Sequence, residues 1–209
     1  MMVSGLYAVT PDLSDSELLL EKVELALKGG AAMLQYRNKS APSDLREEQA
    51  VSLTILCRRF SVPLIVNDDV KLAKKIGADG VHLGRNDAGI AFAREILGAK
   101  KIIGASCYNR LDLAEQCLHE GADYLAFGGF FPSANKPGAI AAPLSLLKQA
   151  KAELSAPIVA IGGINLENAR DVVAAGADAL AIISALFDAS NIGAAAQRFS
   201  SLFERRALA

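Results

Sequence analysis

The sequence IGADGVHLG, residues 76–84, ends a segment of helical spacing with a glycine and leads at once into a run of β-forming residues. The same junction recurs as KGGA from Lys28, EGAD from Glu120 and AGAD from Ala175. Glycine at such a position can adopt the left-handed conformation that ends a helix without steric cost. The recurrence predicts a chain built from repeated helix-to-strand units.

Working outward from these junctions, we find eight β-rich runs: LYAVT from Leu6, AMLQYR from Ala32, PLIVND from Pro63, GVHLG from Gly80, KIIGAS from Lys101, YLAFG from Tyr124, PIVAIGG from Pro157 and ALAIIS from Ala179. Their continuous apolar character is typical of parallel strands covered on both faces. Helical spacing covers residues 14–28, 43–60, 69–76, 87–97, 112–120, 143–154 and 165–175. Asp112 with Glu115 resembles a capping box, and Pro143 suits a first helical position.

This alternation predicts an α/β protein, a (β/α)8 TIM barrel in which residues 1–209 form a single domain. The alternative is an open doubly wound sheet, which would need a glycine-rich nucleotide turn after an early strand. The first strand is followed by TPDLSDS instead, which favours the barrel.

Composition narrows the possible partners. The 209 residues are 52% hydrophobic, and 22 basic against 23 acidic side chains give a net charge of −1, which argues against nucleic-acid or anionic-membrane binding. No stretch has the length of a membrane span or the form of a secretory signal. Three cysteines without CxxC spacing, with two histidines, disfavour disulfides and structural zinc. We therefore expect a cytoplasmic protein with small-molecule partners; the oligomeric state is left open.

Catalytic groups of such barrels lie at the carboxyl ends of the strands, where this sequence is rich in polar residues. Gln35, Arg37 and Lys39 are alternate residues at the end of the second strand, so their side chains share one face and could bind a phosphate or carboxylate. The alternative is that Arg37 and Lys39 turn outward to water. His82, inside its strand, is either a core histidine or a substrate contact.

Acidic residues follow the third and fourth strands. Asp68 and Asp87 are candidate Mg²⁺ ligands, because two carboxylates and substrate phosphates commonly hold this ion. Asp69 and Asp87 could instead cap the following helices, and for Asp69 we favour the cap.

Further polar groups complete the predicted rim. Ser106 ends the fifth strand and is better suited to hydrogen bonding than to nucleophilic attack. The loop at residues 128–139 carries Ser133 and Lys136, which suit an anionic substrate. Gly162 and Gly163, with Ile183 and Ser184 at the end of the eighth strand, suit a site where backbone N–H groups bind a phosphate. A second anion site is predicted at the basic cluster of Arg37, Lys39 and Lys136, which faces the two aspartates. Two separate anion sites predict two phosphorylated substrates.

In chain order, the segments GLYAVTP, LQYRNK, PLIVNDD, GADGVHLG, IGASCY, GADYLAFGGFFPSANKP, PIVAIGGI and ALAIIS resemble the thiamine-phosphate synthase (thiamine-phosphate pyrophosphorylase) family over essentially the whole chain. The resemblance implies a transferase that joins 4-amino-2-methyl-5-hydroxymethylpyrimidine pyrophosphate to 4-methyl-5-(2-phosphoethyl)thiazole, or its carboxylate, with Mg²⁺. Thiamine monophosphate and pyrophosphate are the implied products.

The resemblance also implies roles for individual residues. Gln35 and His82 would contact the pyrimidine, and Asp68 and Asp87 would bind Mg²⁺. The pyrophosphate would be bound by Arg37, Lys39, Asn67, Ser106 and Lys136; of these, Arg37, Lys39, Ser106 and Lys136 are the implied catalytic groups. The thiazole phosphate would be held by Ser133 and Asn135 with backbone of Gly162, Gly163, Ile183 and Ser184.

This sequence departs from the commonest family pattern at Asn38, Asp69, Arg85-Asn86 and the SANK segment, which makes Asn135 the weakest of these assignments. Two alternative functions stay open: a thiazole tautomerase, whose fifth strand carries a histidine, and a non-catalytic binder of thiamine intermediates. Sugar-phosphate epimerases would need more metal-binding histidines than this chain has.

Overall fold

A computed structural model describes residues 3–132 and 142–204. Eight parallel strands close into a barrel in the order β1-β2-β3-β4-β5-β6-β7-β8, which confirms the predicted (β/α)8 TIM barrel. The strands are β1 Gly5–Val9, β2 Met33–Tyr36, β3 Leu64–Asn67, β4 Gly80–Leu83, β5 Ile102–Tyr108, β6 Tyr124–Phe127, β7 Ile158–Ile161 and β8 Ala179–Ile182. The helices are α1 Ser16–Lys28, α2 Ser43–Phe60, α3 Val70–Ile76, α4 Ile90–Leu97, α5 Leu111–His119, α6 Ser145–Glu153, α7 Ala169–Ala174, α8 Ser184–Phe187 and α9 Ile192–Glu204.

The helix-to-strand junctions have the predicted glycine conformation. Gly30, Gly77, Gly121 and Gly176 all have positive φ, and the backbone N–H of Gly77 donates to the last turn of α3. The chain can therefore leave each helix sharply and enter the next strand within a few residues.

Four local predictions were wrong. Pro143 does not take the first position of α6, which begins at Ser145 after Leu144. Asp112 does not cap α5, because Arg110 occupies the cap position and Asp112 pairs with the Arg110 side chain. Helix α7 begins at Ala169 rather than near residue 165, since Asn165 and Asn168 form a turn by mutual side-chain-to-backbone bonds. The segments of α8 and α9 are helical as well, which adds two helices to the predicted seven.

Alternation along the strands divides the core into two parts. Outward side chains such as Leu34, Val81 and Leu180 pack against the helices in one large apolar cluster. Inward side chains, among them Val9, Ile65 and Val159, fill the barrel interior. The two-residue period of a strand thus buries both faces of the sheet.

Aspartates of the GAD junctions close the amino end of the barrel. Asp79, Asp123 and Asp178 accept backbone N–H bonds from Leu64, Ile103 and Ile158, at 2.9, 2.7 and 2.9 Å. Each carboxylate therefore ties the strand after it to the strand before it. Asp123 and Asp178 also form ion pairs with Arg94 and Lys151, respectively.

Among the residues that the structure describes, no helix is long and apolar enough to cross a membrane. Cys57, Cys107 and Cys117 are free and buried.

Candidate functional site

A cavity of about 580 Å³ opens at the carboxyl end of the barrel. It is lined by most of the residues singled out in the sequence: Gln35, Arg37, Lys39, Asn67, Asp68, His82, Asp87, Ser106, Gly162, Gly163, Ile183 and Ser184. Gln35 and Asn67 come from β2 and β3, and Ser106 comes from β5. Residues far apart in the chain thus meet in one cavity because their strands end on one rim.

The loop after β1 holds Arg37 at the rim. Thr10 Oγ1 donates to the Arg37 carbonyl and accepts from its backbone N–H, both at 2.8 Å. Asp12 accepts from the Arg37 guanidinium at 2.8 Å and from the Lys39 backbone N–H at 3.1 Å. Arg37 therefore does not simply turn outward to water, because backbone and side chain are both fixed by neighbours.

Lys39 and Asp68 form an ion pair of 3.1 Å across the rim. The Lys39 side chain is 58% exposed, so the pair is open to solvent. Asp68 itself has a φ of +64°, a backbone conformation that non-glycine residues rarely adopt. Its backbone N–H donates to the His82 carbonyl at 2.8 Å, which holds this conformation at the β3 end.

Asp87 lies beside Asp68 but does not cap a helix. Its Oδ2 accepts the Gly84 backbone N–H, and α4 begins only at Ile90, after Gly89. Partial burial raises the pKa of the Asp87 carboxyl, and the neighbouring Asp68 raises this pKa further. A bound cation would favour the ionised form of the Asp87 carboxyl.

The donor set fits Mg²⁺ carried by an anionic substrate. Among residues 3–132 and 142–204, no group of three or more His, Cys, Asp or Glu side chains could hold a metal ion by itself. Asp68 and Asp87 offer hard oxygen ligands, and Mg²⁺ is commonly bound by one or two carboxylates while substrate phosphates and water fill its other positions. These two residues would hold the ion only together with a bound phosphate.

His82 is buried and bonded at both ring nitrogens. Nδ1 lies 2.9 Å from Tyr124 Oη, and Nε2 lies 2.8 Å from Ser106 Oγ. Burial lowers the pKa of His82 to about 4, although the charge of Asp87 acts in the opposite direction. The imidazole is thus neutral near pH 7. His82 is a buried core residue that also lines the cavity, and its contact with a substrate stays a prediction.

Gln35 is buried beside the same group of side chains. Its Nε2 donates to Tyr7 Oη at 2.9 Å, and Tyr7 Oη lies 2.8 Å from Tyr124 Oη. The barrel interior beneath the cavity is therefore polar at its centre.

Two glycines shape the opposite side of the cavity. Gly162 and Gly163 have φ values of +102° and +65°, and a Cβ on Gly163 would lie 2.5 Å from the carbonyl oxygens of Phe131 and Pro132. Asn168 Nδ2 donates to the Gly163 carbonyl at 3.1 Å and so fixes this turn. Close approach of the backbone to a ligand is possible here because no side chain intervenes.

The end of β8 adds to this side. Ile183 accepts the backbone N–H groups of Leu186 and Phe187 as α8 begins. In the described part of the chain, no hydrogen bond occupies the backbone N–H of Gly163 or Ser184. Backbone donors facing a cavity are suited to a phosphate group.

Three predicted site residues, Ser133, Asn135 and Lys136, lie outside the described residues. Two departures from the family pattern have structural roles. Asp69 caps α3 by accepting the Leu72 N–H at 2.9 Å, as the sequence favoured. Asn38 is buried and donates to Gln49 Oε1 at 3.0 Å and to the Leu13 carbonyl at 2.7 Å.

Sequence reasoning missed several groups around the cavity: Tyr7, Thr10, Asp12, Tyr108, Tyr124 and Asn168. Tyr7 of β1 and Tyr124 of β6 lie in apolar runs, which by themselves indicate only a buried strand. A buried tyrosine hydroxyl needs a hydrogen-bond partner. An inward-facing tyrosine in each of these two strands could therefore have predicted polar contacts inside the barrel. Asp12 and Asn168 sit in loops, and nothing in the local sequence pairs them with Arg37 or Gly163.

Comparison with known proteins places this chain in a family. The family described as thiamine monophosphate synthase matches residues 6–186. The chain is 55% identical to a thiamine-phosphate synthase of Chromobacterium violaceum over 204 residues, which cover 98% of each chain. It is 54% identical over 199 residues to one of Thiobacillus denitrificans, covering 95% of this chain and 94% of that protein. A solved thiamine phosphate pyrophosphorylase from Pyrococcus furiosus has a TM-score of 0.85 at 37% identity, covering 96% of both chains.

Proposed function

Because the chain belongs to the thiamine monophosphate synthase family and is a transferase, we propose that it joins two phosphorylated precursors in this cavity. The first is 4-amino-2-methyl-5-hydroxymethylpyrimidine pyrophosphate. The second is 4-methyl-5-(2-phosphoethyl)thiazole or its carboxylate. The products are thiamine monophosphate and pyrophosphate.

The observation that carries this proposal is the division of one cavity into two unlike anion sites. Arg37, Lys39 and the aspartate pair line one side, at the ends of β2, β3 and β4. The Gly162–Gly163 turn and Ser184 line the other side, at the ends of β7 and β8. A pyrophosphate with its metal suits the charged side, and a phosphomonoester suits the backbone donors.

The reaction needs little covalent chemistry from the protein. The bond between the pyrimidine methylene carbon and pyrophosphate oxygen breaks, and its electron pair leaves with pyrophosphate. The cation on the methylene carbon is shared with the electron-rich pyrimidine ring. The thiazole nitrogen then donates its lone pair to that carbon, which forms the new C–N bond. The site has to neutralise the leaving group and align the two reacting atoms.

The basic and acidic rim residues predicted from the sequence each have a role in this scheme. Arg37, held by Asp12, and Lys39 neutralise charge that develops on the departing pyrophosphate, with Lys136 as a third cation. Asn67 and Ser106 would hydrogen-bond the same group. Asp68 and Asp87 would hold Mg²⁺ together with the substrate, and the ion would supply electrostatic stabilisation of the leaving group.

The remaining residues bind the two rings and the second phosphate. Gln35 and the neutral His82 would contact the pyrimidine, and an uncharged imidazole adds no positive charge beside the developing cation. Backbone N–H groups of Gly162, Gly163, Ile183 and Ser184 would hold the thiazole phosphate, together with Ser133 and Asn135. This arrangement aims the thiazole nitrogen at the methylene carbon.

A product assay with single omissions tests this function. Purified protein receives both substrates, and pyrophosphate and thiamine monophosphate are measured with Mg²⁺, with chelator, and with the thiazole phosphate omitted. We expect equimolar, Mg²⁺-dependent appearance of both products, and no thiamine monophosphate without the thiazole. Well-folded protein that binds the substrates and forms no product would overturn the proposal in favour of the tautomerase or binder alternative.

A further inference from the structure

Five side chains from five strands form a continuous hydrogen-bonded line across the barrel interior. In order they are Gln35, Tyr7, Tyr124, His82 and Ser106, and the successive distances are 2.9, 2.8, 2.9 and 2.8 Å. Gln35 and Ser106, at the two ends, line the cavity, as does His82. The line therefore connects two opposite parts of the proposed pyrimidine and pyrophosphate site.

Tyr124 is the member of this line that does not belong to the cavity wall. Within the described residues, it is absent from the cavity lining, and its side chain is completely buried. Its ring stacks on the His82 ring with centroids 5.6 Å apart and meets the Tyr7 ring edge-on at 5.9 Å. Gly104 makes room for it, since a Cβ there would lie 2.0 Å from Tyr124 Cζ. Tyr124 is thus placed to act on the site through its neighbours.

The hydrogen bonds along this line can be donated in one of two directions, from Gln35 towards Ser106 or from Ser106 towards Gln35. Tyrosine, serine and neutral histidine can each donate on one side and accept on the other, so none of them fixes the direction. The amide nitrogen of Gln35 is a donor only, and it faces Tyr7 Oη. With that oxygen accepting from Gln35, the Tyr7 proton is free for Tyr124, and the Tyr124 proton is free for His82 Nδ1. Nε2 of His82 then carries the ring proton and donates to Ser106.

We propose that Tyr7 and Tyr124 are positioning residues: they pass the direction that the Gln35 amide sets on to His82, which then donates to Ser106. Ser106 Oγ accepts inside the line, so its own proton points into the cavity. Gln35 has committed an N–H to Tyr7, so its carbonyl oxygen is available to a donor in the cavity. The proposal rests on the proposed function for the identity of these ligands: a phosphate oxygen at Ser106 and a ring amino group at Gln35.

Donation in the reverse direction would exchange the donors and acceptors that the line presents to the cavity. Ser106 would donate to His82 Nε2 and turn its lone pairs towards the bound anion, and Gln35 would present its NH₂ group. An anion at Ser106 favours the sense with an outward O–H, because the hydroxyl must donate to bind a phosphate oxygen.

The ring nitrogens of His82 report the direction without any substrate. Nitrogen-15 NMR of the wild-type protein near pH 7 distinguishes a protonated from an unprotonated ring nitrogen. The sequence contains two histidines, so in a His119→Gln variant the remaining histidine signals come from His82. We expect Nε2 protonated and Nδ1 unprotonated. Protonated Nδ1 in the wild-type protein would overturn the proposal outright.

Tyr124→Phe tests whether the tyrosine sets this state. The variant keeps the ring and removes the hydroxyl, so His82 Nδ1 loses its donor. We expect a mixture of the two His82 tautomers and a roughly tenfold lower kcat with KM changed less than about twofold, as for loss of one ordinary hydrogen bond in the reacting state. An unchanged tautomer would show that Tyr124 has no positioning role.

Tyr36→Phe is the matched control. Tyr36 is equally buried and donates to Gln49 Oε1 at 2.9 Å, but it lies on the outer face of β2. We expect it to lower stability by a similar amount while the His82 tautomer and kcat stay as in the wild-type protein. An equal tautomer change in Tyr36→Phe would show that general loosening of the fold, rather than the line, is responsible.

Failure of this proposal can be distinguished from failure of the proposed function. The tautomer is read on substrate-free protein, so it decides the direction of the line even if no thiamine monophosphate forms. If Tyr124→Phe does not fold, Tyr7→Phe replaces it. That variant removes the only acceptor seen for Gln35 Nε2 among the described residues, and a fixed Nε2–H tautomer in it would contradict the proposal.

Discussion

The two ends of this barrel use the same residue type in opposite ways. At the amino end, the carboxylates of Asp79, Asp123 and Asp178 accept backbone N–H groups of a neighbouring strand. At the carboxyl end, Asp68 has a left-handed backbone and an exposed lysine partner, and Asp87 lies against it with a raised pKa. The amino-end aspartates are stabilised by their surroundings, whereas the carboxyl-end pair is held where its charges repel.

This contrast distinguishes the aspartates that stabilise the fold from those that we propose as metal ligands. A carboxylate bonded to strand backbone stabilises the fold in the absence of any ligand. Two adjacent carboxylates with few donors cost folding free energy and gain only when a cation binds. Position relative to the strand therefore predicts the role, and changes at the two ends should have opposite consequences for activity and stability.

The largest effect should come from Asp68→Asn. Asparagine tolerates the left-handed backbone and keeps the side-chain shape, so the change removes mainly the charge. We expect kcat of the synthase reaction to fall at least about 100-fold, with binding of the thiazole phosphate retained. Steady-state kinetics and calorimetric titration of the thiazole phosphate measure the two quantities.

The same substitution at the other end, Asp79→Asn, is the control for this change. An asparagine oxygen can still accept the Leu64 N–H, and the residue is remote from the cavity. Its kcat should equal that of the wild-type enzyme. Wild-type turnover in Asp68→Asn would refute the metal assignment.

Next in size is the stability effect of Asp178→Ala. The Ile158 N–H loses its acceptor and Lys151 loses its partner, so the free energy of unfolding should fall by about 2 kcal/mol. Urea denaturation measures this loss, and kcat should be unchanged at temperatures where the variant is folded. A large loss of kcat in folded protein would break the division between the two ends.

A smaller effect is expected from Asn168→Ala, which releases the Gly162–Gly163 turn. KM for the thiazole phosphate should rise about threefold to tenfold, corresponding to about 1 kcal/mol, while kcat stays within about twofold. Asn191→Ala is the matched control, because Asn191 accepts the Ala194 N–H at the start of α9. It should cost stability alone. Equal KM changes in both variants would remove the assignment of Asn168 to the phosphate side.

The smallest expected effect is a gain of stability in Asp87→Asn. The pKa of Asp87 is raised above the ordinary 3.8, so its ionisation opposes folding at neutral pH. The variant should be more stable by less than about 0.5 kcal/mol at pH 7, because the site is open to solvent. This gain should shrink as pH falls through the raised pKa, where wild-type Asp87 becomes neutral. Denaturation at several pH values tests the sign, and a loss of stability at pH 7 would contradict it.

Prediction from sequence succeeded where the signal was local. The glycine junctions and apolar runs gave eight strands, and helix α2 was predicted at its observed bounds, Ser43–Phe60. Prediction failed where the outcome depends on which side chains pair with one another, because helix and strand patterns do not show this. The expected Asp112 cap competes with the nearby Arg110 side chain, and the start of α7 depends on the reciprocal Asn165–Asn168 turn.

The candidate site shows the same limit. Arg37, Asp68 and Ser106 were predicted because polar side chains at strand ends are visible in the sequence. Side chains that hold the rim from elsewhere, such as Asp12 beside Arg37 and Tyr124 beside His82, were not predicted, because each acts on a residue from another segment.

The sequence by itself determined the barrel, the end at which the cavity lies and the chemical types of its rim residues, since these depend on strand period, helix punctuation and strand-end position. Only the tertiary structure decided which side chains meet. Closing the sheet brought Tyr7 of β1 and Tyr124 of β6 within 2.8 Å, a contact between residues 117 positions apart. It likewise placed the Asp68 and Asp87 carboxylates side by side, so the electrostatic properties of the site depend on distances that no local pattern encodes.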